Sequence, residues 1–149
     1  MQYPEEKLLP LFYKFIYKYE KLEVKKLSDK KIKGFISASA QKDYDDVILE
    51  LKNYCYQSPY KDNSMILQHK KSQQGQLPSA YEFYFDKRTM KSSYVNDLLR
   101  HIRNVLTHVC YNMSGNYYEL IEKSNNYLSA YGHIKEADML KLINSFVAQ

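Results

Sequence analysis

Apolar residues recur at three-to-four-residue spacing at the start of the chain. Leu8, Leu11, Phe12, Phe15, Tyr19 and Leu22 fall on one stripe, which predicts a helix over 4–24. Pro4 suits the first turn, where the missing N–H costs nothing, and Glu5 and Glu6 follow near the positive end of the helix dipole. Ser28 or Asp29 is placed to cap a second, short helix reaching about residue 39. A third helix is expected over 43–56, with Val47, Ile48, Leu51, Tyr54 and Cys55 inward. The pattern then fails. Residues 57–80 are polar and punctuated by Gly and Pro, so a long loop is expected there. The aromatic run YEFYFD over 81–86 is ambiguous. Ser92 or Ser93 caps the most strongly patterned helix, expected over 93–113. Two Tyr/Leu/Ile runs flank Asn125–Asn126 and suggest a hairpin, with a helix as the alternative. The segment EADMLKLINSFV closes the chain as an amphipathic helix, with Met139, Leu140, Ile143, Phe146 and Val147 on one side.

Length adds one constraint: 149 residues are expected to form a single domain, 1–149, with a core of its own. No apolar run approaches the length of a membrane span, and the N-terminus lacks the basic lead of a secretory signal. Cys55 and Cys110 have no motif spacing and read as free thiols of a cytoplasmic protein. The formal charge of +5 permits an anionic partner without demanding one. The lysines of 21–33 read as solvated helix surface, and no strong basic concentration stands elsewhere. That points to a small target, such as a tRNA loop, or to simple binding. His69 falls in the expected loop and reads as solvated; His133, after Gly132, reads as structural.

The 93–113 helix carries the chemistry. The chain has three arginines and four histidines, and Arg100, His101, Arg103 and His108 lie within nine residues. On a helical wheel, Val95, Leu98, Leu99, Ile102, Val105, Leu106, Val109 and Met113 form one apolar stripe. His101, Asn104 and His108 lie opposite it, within about one-sixth of a turn of each other, with Arg100 and Arg103 on that side or its flank. A symmetric dimer would bring two such Arg–His sets into one cleft. Imidazoles move protons near neutral pH, and a guanidinium stabilises charge developing on phosphate oxygens. That set suits cleavage of an RNA phosphodiester without a metal or other cofactor. No metal-ligand spacing of His, Cys and carboxylates stands in the chain.

The segment RNVLTH (103–108) is Arg-Asn-x-x-x-His and resembles the signature of the HEPN superfamily. The longer LRHIRNVLTH (99–108) resembles a plasmid- and phage-associated branch whose helix reads much like LRHIRNALAH. The later AYGHIKEADMLKLI resembles the ending of that branch. Thr107 stands where the branch often has Ala, and Val109 where a small residue, often Gly, commonly follows the His. The resemblance implies an all-α, up-and-down helical bundle, here with a small β-hairpin before the C-terminal helix, forming a homodimer through the motif helices. It implies a metal-independent endoribonuclease of toxin–antitoxin or antiviral systems, with RNA as substrate and an antitoxin as partner. By position, Arg103 would bind phosphate, Asn104 would support the site and His108 would be the acid/base. Arg100 and His101 would be auxiliary binding residues. The alternative is a non-catalytic module of the same kind that binds RNA, nucleotide or a protein.

Overall fold

A computed structural model describes residues 4–22, 27–73 and 81–148. The helices are α1 (Pro4–Leu22), α2 (Asp29–Lys33), α3 (Gln41–Leu51), α4 (Ser64–Ser72), α5 (Tyr94–Thr107) and α6 (Glu136–Val147). A 3₁₀ turn, Ala38–Ala40, leads into α3. The strands are β1 (Cys55–Gln57), β2 (Phe83–Phe85), β3 (Tyr111–Ser114), β4 (Tyr117–Ser124) and β5 (Tyr127–Lys135). They form one five-stranded sheet in the order β1-β2-β5-β4-β3. β1 and β2 pair in parallel, and every other neighbouring pair is antiparallel. No helix among the described residues is long and apolar enough to cross a membrane.

The sheet overturns the expected all-α bundle: this is an α/β fold. The hairpin around Asn125–Asn126 is present, and Asn125 takes the positive φ (56°) that such a turn needs. Its arms, however, are the centre of a sheet rather than an appendage. Other boundaries move as well. Of the region read as a loop, Cys55–Gln57 reaches into it as β1 and Ser64–Ser72 is α4, while 74–80 lies outside the described residues. The first helix is described to Leu22, and 23–24 lie outside the described residues. The third helix stops at Leu51, and Cys55 is a buried strand residue.

The residues divide cleanly by face. Phe83, Phe85, Tyr118, Leu120, Ala130 and Ile134 point to the main core, where α1, α3, α5 and α6 contribute Phe12, Phe15, Leu51, Leu98, Leu99, Ile102, Leu142 and Phe146. The other face is smaller. There Leu128 and Tyr131 meet Ile66 of α4, flanked by Tyr84 and Ile121. The close pairing of β2 and β5 depends on Gly132, which faces Phe83 at φ 149°. A Cβ there would lie 2.6 Å from Phe83 Cα and closer still to the Glu82 carbonyl oxygen, so only glycine fits.

Candidate functional site

The α5 helix begins where the sequence places it. Ser93 is the N-cap, and its side chain accepts a hydrogen bond from the Asn96 backbone N–H. It ends early. Cys110 N–H donates to Val105 O (2.8 Å) and Val109 N–H to Leu106 O (3.4 Å). That is a Schellman closure, whose left-handed position is normally glycine. Val109 occupies it at φ 53° with its side chain exposed. A β-branched residue is strained there. Val109 and Met113 therefore do not extend the helical stripe, and His108 is the C-cap rather than an interior residue.

The polar side of α5 faces its own sheet over most of its length. His101 is fully enclosed (0 % exposed). Its Nδ1 lies 2.5 Å from Glu122 Oε1 on β4, and its Nε2 lies 2.8 Å from Asp86 Oδ1 just beyond β2. Burial alone would favour the neutral ring, but the hydrogen bonds to Asp86 and Glu122 outweigh it and raise the pKa. Both carboxylates are likewise penalised by burial, yet their bonds to His101 hold them below the usual range. Arg100 completes the cluster, donating to Asp86 Oδ1 (2.9 Å) and reaching Asp97 Oδ1 at 3.3 Å. Asp97 is buried and also accepts from Gln57 Nε2 and Ser92 Oγ, each at 2.7 Å. Arg100 and His101 are thus spent inside the chain. Neither is presented as a free phosphate contact.

From this cluster a chain of bonds runs outward. Glu122 Oε2 accepts from Asn104 Nδ2, and Asn104 Oδ1 accepts from Arg103 Nη1, both at 2.9 Å. Arg103 also pairs with Glu20 of α1 and lies over the Tyr19 ring, 5.9 Å from its centroid. Its buried Nε has no partner. Asn104, used on both polar atoms, orients Arg103 and not His108. His108 stands exposed one turn on, with no side-chain polar partner among the described residues. The structure therefore links Arg100, His101, Asn104 and Arg103 through shared carboxylates and leaves His108 alone at the helix end.

Sequence reasoning missed Asp86 and Glu122. One signal was available: Tyr118, Leu120 and Glu122 alternate on β4, which puts a carboxylate on the apolar face. A second group was also missed. His69, expected to be solvated, is buried on the α4 face, with Nδ1 3.1 Å from Glu82 Oε2. His133 lies 3.4 Å from Glu119 Oε2, too poorly aligned for a hydrogen bond, so both its ring nitrogens are orphaned. Burial lowers the pKa of both imidazoles, against the opposing pull of Glu82 and Glu119. Cys55 and Cys110 are both free thiols, the first of them buried. Among the described residues, no group of three or more His, Cys, Asp and Glu side chains is placed to hold a metal ion. Compared with known proteins, the chain matches no family model, no curated protein and no solved structure.

Proposed function

We propose that the chain is a metal-independent endoribonuclease of the HEPN kind carried on an α/β fold, with its site at the C-terminal end of α5. One observation supports this reading above the others. The Arg103 guanidinium is held in place through Asn104 by Glu122, while the His108 imidazole stands free one turn beyond it. A fixed cation beside a mobile proton carrier is what phosphodiester cleavage asks for.

In this scheme an RNA phosphate takes the place of Glu20 on Arg103. Glu20 is about half exposed and is readily released to water. Neutral His108 removes the 2′-hydroxyl proton, and the 2′-oxygen attacks phosphorus. The bond to the 5′-oxygen breaks, and that oxygen takes a proton from a second imidazole, present as imidazolium. The second imidazole belongs to His108 of another copy, docked so that the α5 ends meet across a twofold axis. The products are a 2′,3′-cyclic phosphate and a 5′-hydroxyl. Arg103 neutralises charge on the phosphorane oxygens. Arg100 and His101 act as positioning residues through Glu122. An antitoxin as regulator, acting in the cytoplasm, completes the proposal on the strength of the motif resemblance; a tRNA as target rests on the absence of a basic concentration, which the lysine groove of α1 and α6 removes.

A second reading, a non-catalytic binding module, is favoured by the Arg103–Glu20 pair and by the lack, among the described residues, of any group fixing the His108 tautomer. Incubating total RNA with wild type, Arg103→Ala and His108→Ala in EDTA separates the two. The nuclease reading expects wild type to leave cyclic phosphate ends and His108→Ala to lose about a hundredfold or more in rate. RNA bound but uncut by wild type, at concentrations where the dimer forms, supports the module instead.

A further inference from the structure

The chain's basic residues are scattered in sequence, but the fold gathers five of them. Lys7, Lys14, Lys18 and Lys21 of α1 and Lys141 of α6 line one open groove of about 1180 Å³ between α1, α6 and the start of α3. Among the described residues, Asp43 is its one acidic lining residue. The expectation that no strong basic concentration exists is corrected here: the groove holds a surplus of four positive charges, against +5 for the whole chain.

Asp46, itself paired with Lys42, also has Lys141 near enough to help hold its carboxyl below the usual range. Among the described residues none of the five lysines is in an ion pair. Lys14 and Lys18 are four apart and Lys18 and Lys21 three apart, so they repel one another along the helix. Lys18 is partly desolvated, which lowers its pKa. It lies 5.4 Å from the Phe146 ring centroid. The row from Lys7 to Lys21 covers roughly 21 Å of helix. The groove is not simply charged: Leu11, Leu22 and Val147 also line it, half-buried against the main core.

That pairing of features selects a partner. A nucleic-acid backbone offers phosphates but no aliphatic surface, and bases bind through aromatic platforms. Tyr17 is the only aromatic residue among those lining the groove. An amphipathic helix offers both parts, with its apolar stripe for the floor and its flanking carboxylates for the rim. We infer that this groove docks an acidic amphipathic helix of a partner protein. The inference is independent of the reading of Arg103 and His108.

The test uses the full chain and a synthetic helical peptide of about 18 residues, with leucines along one face and glutamates on both flanks. Its controls are a peptide of the same composition in scrambled order and oligothymidylate of similar length. Binding is followed by fluorescence anisotropy. The patterned peptide is expected to bind at least about tenfold tighter than the scrambled one, and Lys14→Glu/Lys18→Glu to weaken it about tenfold or more. These lysines lie on the surface, and an unchanged circular dichroism spectrum would show that the variant folds. Equal binding of both peptides would reduce the groove to non-specific charge and overturn the inference. Tighter binding of oligothymidylate, lost in the same variant, would make it a nucleic-acid track. No binding of the patterned peptide at about 1 mM would overturn it outright.

Discussion

The two faces of the sheet use the same residue types to opposite ends. On the α5 face, His101 sits between two carboxylates, both ring nitrogens are engaged, and the ring is favoured in its charged form. On the α4 face, His69 has one carboxylate at 3.1 Å, His133 has none in hydrogen-bond geometry, and both are favoured neutral. Burial is similar; bonding geometry is not. An imidazole enclosed in protein follows its hydrogen bonds, and a nearby but poorly aligned carboxylate does not overcome desolvation. The α5 face thereby gains a rigid ionic scaffold, while the α4 face keeps orphaned nitrogens.

The strongest way to break this comparison is to remove one ring from each face. His101→Leu leaves Asp86 with Arg100 and Glu122 with Asn104 as their remaining hydrogen-bond donors, without the imidazolium between them. It is expected to cost about 3–5 kcal/mol in urea unfolding. His69→Leu removes a ring with an orphaned Nε2 and leaves Glu82, which is partly exposed, to water. Its expected cost is below about 1 kcal/mol. Equal losses would mean that the two faces are held in the same way.

Acidity sharpens the contrast without mutation. The pKa of His101 is raised in the folded chain, so its contribution is complete below the unfolded value of about 6.5 and is lost as pH rises through the folded value. His69 and His133 have lowered values, so theirs is present above about 6.5 and is lost as pH falls. Asp86 and Glu122, also lowered, lose theirs only in more acid solution, as pH falls below about 4. His69→Gln/His133→Gln is therefore expected to flatten the stability profile just below pH 6.5 and leave the alkaline decline in place. Ring-proton NMR titration of the four histidines checks the assignment directly.

A small gain is expected at the end of α5. Val109→Gly relieves a left-handed β-branched residue and is expected to stabilise by about 1 kcal/mol, partly offset by greater freedom in the unfolded chain. If the ion cluster and the helix end are separate, this gain adds to the His101→Leu change within about 0.5 kcal/mol.

Much of the helical frame was legible. The α1 stripe, the Ser93 cap and the α6 pattern are long-period signals, and the Asn125–Asn126 turn carries its own chemistry. β1 and β2 were not legible because three residues show no period that separates strand from coil. The helix wheel put His101 and Asn104 on one side, and both reach Glu122, but a wheel cannot say whether that side meets water, and His108, the C-cap, makes no such contact among the described residues. Glu122, 21 residues downstream, turned His101 into a core residue. The residues of the candidate site were named from sequence, but the division of labour among them depended on strands that sequence pattern did not reveal.

The α4 helix carries a consequence for local stability. It is nine residues long and, among the described residues, covers its face of the sheet over a cluster of three buried apolar residues. Whatever lifts it away hydrates the orphaned nitrogens of His69 and His133 and lets them take protons. The free energy of that local opening therefore falls as the medium acidifies, while the α5 face stays closed. The two faces are therefore expected to open with different free energies, and proton concentration tunes the smaller of them.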